Sequence, residues 1–189
     1  MIMAKSPTKP RSKDPKDTAS APAPAPSHDP LPFATRNDLA PGLRAGIVVE
    51  LAPRLAEAID LALQAKQAHW NLRGANFASL HALFDTLAGE AHAHADDLAE
   101  RIVQLGGAAE GTLAAVAARS KLPAYPLVLF REEDHVNALA DACARFGRGV
   151  RAGIDACTRL GDAGSADLLT GISRSVDKAL WMLEAHAQR

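Results

Sequence analysis

Between Ala78 and Leu105 the sequence carries two registers at once, and together they leave few folds open. On a helical wheel with Leu80 at zero, Phe84, Leu87, Ala91, Leu98, Ile102 and Leu105 all fall within about 40° of it. That stripe predicts a long helix with one face in a core. A second stripe, His81, Asp85, His92, Asp96 and Glu100, falls between about 100° and 200°. It is interleaved with Ala78, Ala82, Gly89, Ala93 and Ala99, side chains small enough for another backbone to come close.

The second stripe is a pattern of metal ligands. His81/Asp85 and Asp96/Glu100 are each spaced i,i+4, so each pair shares one side of a helix. Asp85 and Asp96 are separated by a rise of about 16 Å, whereas the ligands of one ion lie within a few ångströms of each other. One copy of the helix therefore cannot gather both pairs round one ion. Two antiparallel copies across a two-fold axis bring His81/Asp85 of one chain to Asp96/Glu100 of the other, and an isologous interface then holds two equivalent sites. His69, on the preceding helix, is placed to join His81 and Asp85. Two imidazoles and three carboxylates suit iron, manganese or zinc better than copper(I). The competing reading is a solvated charged flank of i,i+4 partners.

The rest of the body reads as helix. A first helix from about Leu43 to Leu72 has Val48, Leu51, Leu55, Ile59 and Ala62 at helical spacing. Arg73-Gly74 break it, Asn76 is a plausible cap for the next helix, and Gly106-Gly107 end that one. A long connection follows, with a short helix around Leu113–Ser120 and then Pro123 and Pro126. A third long helix starts near Arg131 and ends before Gly161, and a fourth follows Ser165. The expectation is an all-α, ferritin-like four-helix bundle with one long crossover, occupying residues 37–189. Aromatic residues are only 4% of the chain, with alanine and leucine dominant, which disfavours a sheet.

Residues 1–36 are different in kind. They hold most of the prolines and, with six cations against three acids, a charge of +3, while the body carries −4. The segment is expected to be a disordered basic arm, with Lys5, Lys9, Arg11, Lys13 and Lys16 as candidate DNA contacts through phosphates. No base-reading element is visible, so DNA binding is expected to be non-specific and salt-sensitive. The N-terminus lacks the apolar stretch of a secretory signal, no run reaches a membrane span, and Cys143 and Cys157 read as reduced buried thiols. The expected location is cytoplasmic and nucleoid-associated, with no membrane partner.

The segment KQAHWNLRGANFASLHALFDTLAGEAHAHADDLAERIVQLGG, residues 66–107, resembles the Dps family (DNA-binding protein from starved cells), the mini-ferritins. The likeness extends through Ala124-Tyr125-Pro126-Leu127, Asp134-His135 and the closing SRSVDKALWMLEAH, covering essentially the whole body. The resemblance implies a hollow dodecamer that binds iron(II) at ferroxidase centres on dimer interfaces. It implies oxidation preferentially by hydrogen peroxide and storage of a ferric mineral. Carried over by residue, His69, His81 and Asp85 come from one chain and Asp96 and Glu100 from its two-fold mate. The rivals are a structural nucleoid-associated protein whose metal only staples the dimer, and a mini-ferritin that does not bind DNA.

Other residues carry less. His92 reads as an interface or supporting histidine, His94 as a satisfied, partly buried one, and Trp70 as a packing residue. The acids of Glu132-Glu133-Asp134-His135 fit a helix start, where the dipole favours them. Asp162 and Asp167 fall where the family lines a negative pore.

Overall fold

A computed structural model of the chain describes residues 31–187. Five helices account for it: α1 (Pro41–Asn71), α2 (Phe77–Gln104), α3 (Leu113–Arg119), α4 (Glu132–Arg159) and α5 (Ala163–Ala187). The short 72–76 turn makes α1 and α2 antiparallel neighbours, and α4 and α5 form a second hairpin. The hairpins meet through α1 against α4 and α2 against α5, while α3 lies on α1. No strand occurs among the described residues. This is the expected ferritin-like bundle, with α3 inside the long connection.

The apolar stripe of α2 goes where its period sends it. Leu80, Phe84, Leu87, Ala91, Leu98, Ile102 and Leu105 are all buried, facing Leu51, Leu55 and Leu61 of α1, Leu139 and Phe146 of α4, and Leu169, Ile172 and Val176 of α5. Each large side chain of this set contributes roughly 1.5–3 kcal/mol of burial. Cys143 and Cys157 are free and buried, and burial pushes their thiols up to about 12 and about 11. No helix of the described chain is long and apolar enough to cross a membrane.

The helix ends are built by side chains from elsewhere in the fold. Gly106 follows α2 at φ 90°, with Gly106 N–H donating to Val103 O and Gly107 N–H to Ile102 O, both at 2.9 Å. Only glycine takes that left-handed position without strain. Arg44, buried in α1, donates to the Leu105 carbonyl at 2.9 Å and so ties the start of α1 to the end of α2. At the other end of α2, Asn76 sits at the cap position, but its side chain makes no capping bond. The Glu132 carboxylate reaches over from α4 instead, accepting from Asn76 N–H (2.6 Å) and Nδ2 (3.1 Å). Glu132, Glu133 and Asp134 fill the first turn of α4, as the dipole argument expects.

Asp162 corrects the pore expectation. It is 4% exposed and caps α5, which begins at Ala163, two residues before Ser165. Ser165 N–H donates to Asp162 Oδ1 (3.1 Å), and Arg101 Nη2 from α2 donates to both carboxylate oxygens at 2.9 Å. Asp167 is exposed and stays open to solvent on this chain. Burial pushes the Asp162 carboxyl up, but hydrogen bonds from Ser165 and Arg101 outweigh it and hold the group below the ordinary range. Its folded value therefore lies under its unfolded one, so it stabilises the fold above the unfolded value of about 3.9 and loses that contribution as pH falls through the folded value. Asp162→Ala is expected to cost about 3 kcal/mol near neutrality, because Arg101 loses its partner and α5 its cap. Urea denaturation at neutral pH and below pH ~3 checks it, the difference from wild type shrinking in acid.

Residues 31–36, the end of the arm segment, run beside the α2 terminus, with Phe33 N–H donating to Gly106 O at 3.0 Å. The arm cations Lys5, Lys9, Arg11, Lys13 and Lys16 lie outside the described residues.

Candidate metal centre

The five ligand candidates divide into two groups. His69 near the end of α1 and His81 in the first turns of α2 face each other across the 72–76 turn, their rings stacked with centroids 3.6 Å apart and 20° between planes. Phe77 stacks on the far side of His81 at 4.8 Å. Each imidazole uses Nδ1 on the other's backbone: His69 Nδ1 to His81 O at 2.9 Å, and His81 Nδ1 to His69 O at 3.1 Å. A carbonyl oxygen can only accept, so both Nδ1 atoms carry the proton. Nε2 is then the ring nitrogen left to bind a ligand, and the backbone latch fixes the orientation of both rings.

Asp85, one turn beyond His81, is exposed and paired with the Lys66 ammonium of α1. The hydrogen bond from Lys66 holds the Asp85 carboxyl below the usual carboxylate range, with the charges of Lys66, His69 and His81 adding to it. Lys66 lies three residues before His69, on the same helix face. Sequence reasoning assigned it no role, although that spacing was the available signal. A metal ion taken by Asp85 would have to displace this ammonium as the carboxylate's counter-charge.

Asp96 and Glu100 are exposed farther along α2. Among the described residues no group of three or more His, Cys, Asp or Glu side chains is close enough to hold one ion. The chain brings His69 and His81 together, keeps Asp85 one turn on and paired with Lys66, and leaves Asp96 and Glu100 toward the other end of the stripe. The flank between is uncovered: Ala78, Ala82, Gly89 and Ala93 are exposed, and a Cβ added at Gly89 would meet nothing within 4 Å. Ala99, Glu100, Val103, Gln104 and Ala109 line a shallow groove there. Trp70, beside His69, is 68% exposed, so it packs on nothing substantial within its own chain. His92 is exposed on the stripe. His94 is partly buried as expected but unsatisfied: its Nε2 has no hydrogen-bond partner, and burial lowers its pKa.

The donors fit a hard-to-borderline divalent ion, since the imidazoles offer nitrogens of fixed orientation and the carboxylates offer oxygens. Comparison with known proteins agrees with the architecture. Residues 50–189 match the Ferritin-like domain family. The chain is 44% identical over 154 residues to the DNA protection during starvation protein of Agrobacterium fabrum, covering 82% of this chain and 95% of that one. Among solved structures, DpsC from Streptomyces coelicolor superposes with a TM-score of 0.81 at 28% identity, over 84% of this chain and 93% of that one. Dps from Microbacterium arborescens, in its high iron form, superposes at 0.74 with 32% identity, over 80% and 97% respectively. A ferritin-like bundle matched almost end to end by such relatives settles the family: the chain belongs to the Dps proteins.

Proposed function

We propose that the protein is an iron-storing ferroxidase that oxidises iron(II), preferentially with hydrogen peroxide, at centres shared between two chains, and that it thereby protects DNA. The carrying observation is the latched pair His69/His81, held by Nδ1 on main-chain carbonyls so that Nε2 is left for a ligand, with Asp85 one turn farther along the uncovered face of α2. The relatives named for DNA protection and for a high iron form support the same reading.

Iron(II) is the substrate. His69 and His81 supply Nε2 donors on rings that do not need to turn before binding. Asp85, with Asp96 and Glu100 of a second chain, supplies negative charge, which favours the ferric product over the ferrous reactant. Two iron(II) ions give one electron each to peroxide, which takes up two protons and leaves as two waters. Paired delivery of electrons avoids the hydroxyl radical that a single electron would release. Twelve such chains in a hollow particle would keep the ferric product as mineral, and the basic arm, through Lys5, Lys9, Arg11, Lys13 and Lys16, would hold DNA electrostatically. The body's net charge of −4 leaves the arm as the source of that attraction. Such a particle would work in the cytoplasm, associated with the nucleoid.

The test mixes anaerobic iron(II) with purified protein, adds peroxide, and follows ferric absorbance beside an Asp96→Ala/Glu100→Ala variant. A fast phase in wild type that disappears in the variant is expected. Equal rates in both would make the stripe structural, a staple for the dimer.

A further inference from the structure

Away from the ligand stripe, the connection between α3 and α4 holds a phenol and an imidazole in close partnership. Tyr125 Oη lies 2.6 Å from His135 Nδ1, with ring centroids 6.3 Å apart and 33° between planes. His135 is 2% exposed. Nδ1 is the ring nitrogen that faces the phenol, and a phenol O–H donates to an unprotonated imidazole nitrogen at that distance. Burial pushes the phenol up to about 12, and burial lowers the imidazole, with Asp134 and a hydrogen bond to the Leu129 backbone opposing. At neutral pH both partners are therefore uncharged, a donor and an acceptor already in line.

A phenol alone is hard to oxidise, because losing an electron leaves a strongly acidic cation in a site that disfavours charge. A base within hydrogen-bond reach removes that obstacle by taking the proton as the electron leaves. Tyr125 also lines an open pocket of about 340 Å³ with Gln64, Asp134, Asn137 and Asp141, so a small oxidant can reach it. Gln64 is five residues before His69 on α1, an axial rise of about 7.5 Å, so the pocket borders the helix that carries the candidate centre.

We propose that Tyr125 and His135 form a redox pair that captures one-electron oxidants, hydroxyl radical above all. In the step, one electron passes from the phenol to hydroxyl radical, which becomes hydroxide. The Tyr125 O–H bond breaks, and its proton forms an N–H bond at His135 Nδ1. The products are a neutral phenoxyl radical and an imidazolium, and the hydroxide becomes water on taking a proton from the medium. Iron(II) then returns an electron to the phenoxyl and becomes iron(III), while His135 returns the proton. This is an activity distinct from paired oxidation of iron: it disposes of the radical that unpaired chemistry produces.

Tyr125 is the chain's only tyrosine, so a tyrosyl electron paramagnetic resonance signal has one source. The test oxidises the intact, iron-free protein with flash-generated tris(bipyridine)ruthenium(III), which needs no working ferroxidase centre. Wild type is expected to give the tyrosyl signal with a hyperfine coupling to isotopically labelled histidine nitrogen, at a rate that is flat across neutral pH. Tyr125→Phe should lose the signal, and His135→Gln should form it about a hundredfold more slowly. If His135→Gln does not fold, the labelled-histidine coupling in wild type decides alone. Oxidation confined to tryptophan, or a tyrosyl radical without that coupling and with a rate rising with pH, would overturn the pair.

Discussion

Particles assembled from equal amounts of His81→Ala and Glu100→Ala chains are expected to recover about a quarter of wild-type peroxide-dependent iron oxidation, although each variant alone is nearly inactive. The fraction follows from the geometry. His69, His81 and Asp85 share one end of the α2 stripe, and Asp96 and Glu100 the other. In a homo-oligomer of either variant, every shared site carries one lesion. In a mixed two-fold pair, one site collects both lesions and the other is whole. Random pairing makes about half of the interfaces mixed, with one intact site of the two in each. The measurement is the rate of ferric absorbance after peroxide addition, on particles whose composition mass spectrometry has verified. A centre built within one chain predicts no recovery at any mixing ratio, so the absence of recovery in verified mixed particles would falsify the shared site. The effect is a gain of activity from two inactive parents, which general destabilisation cannot mimic.

The helices and the core stripe were legible because their determinants are local. Leu80, Phe84, Leu98 and Ile102 repeat at the helical period, and burial follows from which face they share. The division of the ligands was legible for the same reason, since the axial rise between Asp85 and Asp96 depends on nothing but helix geometry. What period and rise cannot supply is contact between distant segments. Asn76 read as a cap from its type and place, yet the carboxylate at that helix start comes from Glu132, 56 residues away. Asp162 read as a pore acid from its place in the family resemblance, but Arg101 reaches it from 61 residues away and helps bury it. The reciprocal latch of His69 and His81 uses main-chain carbonyls, which carry no sequence signal. His94 sits at the border of the core stripe, and only the packed structure shows its Nε2 left without a partner. The arm's DNA reading remains a matter of composition, since five of its six cations precede the described residues.

Deleting residues 2–36 is expected to abolish DNA retention in low salt while leaving iron oxidation intact. The two functions separate because the five ligand residues all lie in the helical body, whereas Lys5, Lys9, Arg11, Lys13 and Lys16 all lie in the segment removed. The remaining body has a net charge of −4, so it repels phosphate once the arm is gone. For the intact protein the salt dependence is steep. Five phosphate contacts give a slope of about −4.5 in log affinity against log salt, so raising salt from about 50 to 200 mM weakens one arm roughly five-hundredfold. Several arms on one particle raise the low-salt affinity by linking their binding, and they steepen the loss for the same reason. Deletion removes residues 31–36 as well, which lie against the end of α2, so Lys5, Lys9, Arg11, Lys13 and Lys16 should also be changed together to glutamine in the full chain. Gel shifts with duplexes of unrelated sequence, across a salt series, give the slope and show whether any base preference exists. Equal shifts by the intact, truncated and glutamine-substituted proteins would place the DNA contact on the body and make the arm a bystander.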